Sequence, residues 1–130
     1  MYQIMIVEDD ATMAEMMKRQ LEAWGHQVHV AEQFQDILGE FTACAPHMVL
    51  MDIMLPFFNG YHWCSAIRAI SKADILIVGG TSLTVYPAAG LIRYYGGNKL
   101  VLINRDETQY DSYANLIFRD PIGSVLSQVV

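Results

Sequence analysis

Ile4-Met5-Ile6-Val7-Glu8-Asp9-Asp10 is the stretch that decides the fold: four apolar residues in a row, then three carboxylates. A run this short and apolar on both faces reads as a strand buried in a parallel sheet. Behind it Met13, Met16, Met17, Leu21 and Trp24 recur at helical spacing until Gly25, and Asp10 is placed to cap the helix that starts at Ala11. The methionines and Trp24 are expected in the core, since Met fills irregular gaps between elements. This is one β-α unit, and the pattern repeats.

Residues 27–31 suit a second strand, and Phe34, Ile37, Leu38 and Phe41 mark a helix that stops before Pro46. Residues 48–51 form a third strand, followed by a loop with Pro56, Asn59 and Gly60 and a helix lined by Trp63, Ile67 and Ile70. Residues 75–78 are the fourth strand. Gly79-Gly80 turns the chain, Pro87 suits the first turn of another helix, and Gly96-Gly97 ends it before a fifth strand over 100–103. Residues 116–118 suit a sixth strand. Pro121 opens a last helix carrying Ile122, Val125, Leu126 and Val129. The expected class is α/β: three αβα layers around a doubly wound parallel sheet of flavodoxin-like order 2-1-3-4-5, with strand six at the far edge.

With 130 residues, one domain spanning 1–130 is expected. An apolar fraction of 53% against 17% charged residues excludes disorder as the main state. No apolar run approaches the roughly 20 residues of a membrane span, and no signal-peptide pattern opens the chain, so a cytoplasmic protein without a membrane partner is expected. The net charge is −6, concentrated before residue 75, where ten acids face four bases. An acidic surface without a Lys/Arg run repels phosphate backbones, so nucleic acid is not an expected partner. Cys44 and Cys64 lack metal-ligand spacing and read as buried free thiols, and His26, His29, His47 and His62 read as surface or loop histidines.

Ligands of such sheets bind beyond the carboxyl ends of the strands. Strands one and three are neighbours in this order, so Glu8, Asp9 and Asp52 converge there and repel. A bound Mg²⁺, which favours one or two carboxylates plus waters and a carbonyl, resolves the repulsion. Helix capping accounts for Asp10 but not for Asp52, which precedes Ile53-Met54-Leu55-Pro56 and no helix.

Ile6-Val7-Glu8-Asp9-Asp10, Val49-Leu50-Met51-Asp52-Ile53-Met54-Leu55-Pro56 and Asn59-Gly60 together resemble the receiver domain of bacterial response regulators, over residues 1 to about 73. The resemblance implies that Asp52 accepts a phosphoryl group from a histidine kinase, that Glu8 and Asp9 hold Mg²⁺, and that the Met54 carbonyl is a further metal ligand. Beyond that point the receiver set is absent. Receivers carry a Ser or Thr after strand four, an aromatic residue in strand five and a Lys at its end; here Gly79-Gly80-Thr81-Ser82, Leu100-Val101-Leu102-Ile103 and Asn104-Arg105 stand instead.

From about residue 74, Gly80-Thr81-Ser82-Leu83, Val85-Tyr86-Pro87-Ala88-Ala89-Gly90, Leu100 to Asn104 and Asp120-Pro121-Ile122-Gly123 resemble the C-terminal part of the Rossmann domain of sirtuins, NAD-dependent protein deacylases. That resemblance implies NAD contacts from Gly80, Thr81, Ser82, Asn104 and Arg105. The sequence holds no Gly-Ala-Gly phosphate loop, catalytic His-Gly segment or four-cysteine zinc module, so deacylation, and enzyme activity in general, is not expected. A junction of two families near Lys72-Ala73-Asp74, in phase with the β-α repeat, reads as an engineered chimera that retains weak Mg²⁺ binding and the acceptor aspartate. Weak NAD or nucleotide binding is the alternative, disfavoured because half a dinucleotide site leaves the ordering cost poorly offset. Oligomeric state is not legible.

Overall fold

The computed structural model describes residues 1–71, 75–79, 95 and 97–128. These fall into two compact units, Met1–Ser71 and Lys72–Val130, divided beside the expected junction.

In the first unit β1 (Gln3–Val7) lies between β2 (Gln27–Val30) and β3 (Met48–Met51), all parallel. Ile4, Met5, Ile6 and Val7 are all buried, as both faces of a central parallel strand must be. The backbone ladder runs one residue past each outer strand: Ala31 N–H donates to Ile6 O at 2.8 Å and Asp52 N–H to Val7 O at 2.8 Å. The core joins Met5 and Val7 to Ala31, Ile37 and Trp63, with Phe34, Leu38, Phe41, Val49, Met51, Leu55 and Ala66 packed against it.

Helix α1 (Ala11–Ala23) starts as expected. Asp10 Oδ1 accepts Thr12 N–H at 2.9 Å and Met13 N–H at 3.0 Å, satisfying two of the first-turn donors. It ends at Gly25, whose φ of 84° lies in the left-handed region that glycine adopts without a Cβ penalty. Its inner face differs from the expected one. Ala14 is the buried residue, with Met17, Lys18 and Leu21 half-buried, whereas Met13 and Met16 are 49% and 63% exposed and Trp24 is exposed as well. The apolar residues span a stripe wider than the seam that packs, and small Ala14 sits at its centre.

Helix α2 (Ile37–Cys44) is capped by Asp36, whose Oδ1 accepts Gly39 N–H at 3.0 Å, and closes on Ala45 in the left-handed conformation. Helix α3 (Gly60–Ile70) buries Gly60, Trp63 and Ile67 at spacings of three and four, while Ile70, expected on that face, is exposed at the last turn. Cys44 and Cys64 are free and half-buried, not fully buried. Burial pushes the Cys64 thiol up, with Arg68 opposing.

Glu40 was not singled out in the sequence. Its carboxylate accepts Glu32 N–H at 3.0 Å and Gln33 N–H at 2.5 Å, and meets His29 Nε2 at 2.6 Å, fastening the β2–α2 turn to α2. Burial pushes this carboxyl up, but the bonds from Gln33, His29 and Glu32 outweigh it and hold it below its ordinary value of 4.5. A carboxylate whose value is depressed on folding contributes stability above the unfolded value and loses it as pH falls through the folded one. Glu40→Gln is therefore expected to cost about 1–2 kcal/mol at neutral pH. In urea titrations across pH, its difference from the parent chain should shrink below pH 4.5; a pH-independent difference would refute the charge argument.

In the second unit β5 (Leu100–Ile103) lies between β4 (Leu76–Gly79) and β6 (Leu116–Phe118), again parallel. The fourth strand thus starts one residue later than expected. Leu100, Leu102, Ile103, Tyr110 and Val125 are buried, the last on α4 (Ile122–Leu126). Asn115 brackets the start of β5, its Oδ1 accepting Leu100 N–H and its own N–H reaching Leu100 O, both at 2.9 Å. Within each unit the strand order, 2-1-3 and 4-5-6, agrees with the expected one. The expected helix at Pro87 and the turn at Gly80 lie outside the described residues. No described helix is long and apolar enough to cross a membrane.

Candidate functional site

The carboxyl edge of the first sheet holds the site. Because β1 and β3 are parallel neighbours with Val7 opposite Met51, the residues that follow them, Glu8 and Asp52, leave the sheet side by side. Asp9 comes next on β1. One carboxylate oxygen from each of Glu8, Asp9 and Asp52 lies within 4.8 Å of the other two, with Glu8 and Asp52 half-buried and Asp9 exposed. Two neighbours already tie the acids down: Glu8 Oε1 accepts Asp10 N–H at 3.1 Å and Asp52 Oδ1 accepts Ile53 N–H at 2.7 Å. Like charges this close repel, and a divalent cation is the simplest partner that restores balance; an all-oxygen donor set suits a hard ion such as Mg²⁺.

Met54 lies two residues past Asp52 in the β3–α3 loop and is 78% exposed. The same loop carries Phe57 at φ 67°, a left-handed conformation uncommon for a bulky residue. Phe58 stacks on His62 at 4.5 Å and meets Trp63 edge-on at 5.6 Å. Asn59 caps α3 by accepting His62 N–H at 3.1 Å.

Among the residues expected to contact NAD, Asn104 follows β5, half-buried, and its Nδ2 donates to Asp106 O at 3.1 Å. Arg105 is exposed. Gly80, Thr81 and Ser82 lie outside the described residues. Arg119 shapes this loop: it donates to Asp106 O at 2.9 Å and pairs with Asp111. Thr108 and Arg119 hold the Asp111 carboxyl below its ordinary value. Neither residue is marked in the sequence, because an Asp-x₇-Arg spacing across a turn carries no periodic signal.

Residues 4–92 match the family model of the response regulator receiver domain. Among curated relatives, the NAD-dependent protein deacetylase of Clostridium acetobutylicum is 62% identical over 66 residues, 51% of this chain and 27% of that protein. The transcriptional regulatory protein YvcP of Bacillus subtilis, itself uncharacterized, is 46% identical over 78 residues, 60% of this chain and 33% of that protein. The chain therefore spans about a third or less of the length of either relative. Among solved structures, the response regulator TrrA of Thermotoga maritima bound to Mg²⁺-BeF superposes with a TM-score of 0.56 at 19% identity, covering 99% of this chain and 96% of that one. TrrA has also been solved with the histidine kinase ThkA, again at a TM-score of 0.56 and 18% identity, with the same coverage of 99% and 96%. At such identity the likeness bears on fold alone, and the fold is the flavodoxin-like α/β arrangement with a parallel sheet.

Proposed function

As the chain belongs to the response regulator receiver domain family, matched over residues 4–92, we propose that it is a phospho-acceptor module, not an enzyme, in which Asp52 takes a phosphoryl group. The observation that carries this reading is the convergence of Glu8, Asp9 and Asp52 within 4.8 Å. An Asp52 carboxylate oxygen attacks phosphorus, and the bond to the donor, a kinase phosphohistidine or a small acyl phosphate, breaks with its electron pair leaving on the donor. The product is an aspartyl acyl phosphate. Mg²⁺ held by Glu8, Asp9, Asp52 and the Met54 carbonyl would offset the negative charge that nucleophile and phosphoryl group bring together. Glu8 and Asp9 would hold the cation that supplies this charge balance, while the Val7–Asp52 ladder bond fixes the acceptor beside them. A histidine kinase is the proposed partner, supported by the complex that the fold relative TrrA forms with ThkA.

The second half is proposed to derive from a sirtuin, making the chain an engineered chimera whose parts meet near residues 72–74. Support comes from identities of 62% and 46% to proteins of two different families and from the unit boundary at Ser71. The deacetylase identity also favours a second reading, weak NAD or nucleotide binding through Gly80, Thr81, Ser82, Asn104 and Arg105. Calorimetry with ADP-ribose tests it, and micromolar affinity would raise it to the leading reading.

The acceptor reading is tested by incubating the chain with acetyl phosphate and Mg²⁺ and mapping any mass increment to a peptide. One phosphoryl group on the peptide holding Asp52, dependent on Mg²⁺, is expected. An adduct on another residue, or none, would overturn it.

A further inference from the structure

We infer that Gly60 is a positioning residue for Asp52, holding the acceptor carboxylate in place through the peptide that joins Asp52 to Ile53; the inference rests on the acceptor reading of Asp52. Three contacts meet on this short stretch of backbone. Asp52 N–H donates to Val7 O at 2.8 Å, Ile53 N–H donates to Asp52 Oδ1 at 2.7 Å, and Ile53 O accepts Gly60 N–H at 3.0 Å. The Asp52–Ile53 peptide carries the N–H that holds the acceptor's carboxylate, and the carbonyl of the peptide that follows it, Ile53 O, receives the first N–H of α3. With Oδ1 engaged, the second oxygen is the one available to bond phosphorus.

Gly60 is buried, and a Cβ placed on it would lie 2.2 Å from Asp52 O, 3.1 Å from Asp52 C and 3.1 Å from Ile53 Cα. Its φ is outside the left-handed region, unlike that of Gly25, so space and not backbone freedom is what glycine supplies here. The atoms that would be struck are backbone, which cannot swing aside as a side-chain tip does. Ordinary contact begins near 3.4 Å, so an alanine must move the Asp52–Ile53 peptide or the start of α3 by about an ångström. A misplacement of that size at a reacting group costs on the order of 10²-fold in rate.

Two variants separate positioning from general weakening of α3. Gly60→Ala strikes the peptide, while Asn59→Ala removes the cap of the same helix, the bond to His62 N–H, and breaks no described hydrogen bond of Asp52. Both are assayed where each is fully folded. Gly60→Ala is expected to lower the rate of acyl phosphate formation at saturating acetyl phosphate and Mg²⁺ at least tenfold. The half-saturating Mg²⁺ concentration should change less than threefold, and Asn59→Ala should hold its rate within twofold. Exchange of the Ile53 amide, measured relative to that of Ala31, should quicken at least tenfold in Gly60→Ala and stay within twofold in Asn59→Ala. Equal behaviour of the two variants in both measurements would overturn the inference. If the parent chain forms no adduct on Asp52, the acceptor reading fails instead, and the Ile53 exchange still decides whether Gly60 holds that peptide.

Discussion

Asp52→Asn is expected to abolish the phosphoryl adduct, and Asp9→Asn to slow its formation by roughly 10²–10³-fold at millimolar Mg²⁺, the size of effect that follows loss of one electrostatic stabiliser. The two variants fail for different reasons. The first removes the nucleophile, since a neutral amide does not attack phosphorus. The second leaves the nucleophile in place beside Glu8 but withdraws one of the three charges gathered within 4.8 Å. In metal-free buffer the sign reverses. Relief of like-charge repulsion at this distance is expected to make Asp9→Asn more stable than the parent chain, by about 1 kcal/mol for an effective dielectric between protein surface and water. Adduct growth followed by intact mass, with thermal melts in EDTA and in Mg²⁺, checks both signs. A parent chain that gains no stability from Mg²⁺ while Asp9→Asn matches its rate would remove Asp9 from the site.

Trp63→Ala is expected to cost about 3–5 kcal/mol, the usual range for emptying a buried aromatic site. Trp63 is buried against Met5, Val7, Ala31 and Ile37, where α3 and α2 meet the sheet, and its ring is edge-on to His62 at 4.9 Å. A loss of this size is a large fraction of the roughly 5–15 kcal/mol that holds a domain together. Trp63→Phe should cost far less, about 1 kcal/mol. The indole Nε1–H has no hydrogen-bond partner among the described residues, so phenylalanine forfeits volume and no polar contact. Urea unfolding followed by circular dichroism measures both, and an alanine variant within 1 kcal/mol of the parent would mean that the cluster collapses to fill the space.

The β-α alternation, the cap at Asp10, the helix stop at Gly25 and the acidic edge were legible in the sequence. Each depends on neighbours within about one helical turn or on alternation along a strand, so residue order carries it directly. Glu8, Asp9 and Asp52 were legible as a cluster for a related reason: parallel pairing of two apolar runs leaves the residue after each run at the same edge. Three features needed the tertiary structure. The inward face of α1 centres on Ala14, not on the larger Met13 and Met16, because a close-packed seam selects by fit and not by hydrophobicity alone. The anchoring of the β2–α2 turn by Glu40 joins donors from residues 29, 32 and 33 to a helix whose position only packing sets. The approach of Gly60 to the Asp52 carbonyl is a distance between two backbones, and a glycine in a loop reads the same in sequence whether it frees a torsion, as at Gly25, or makes room, as here.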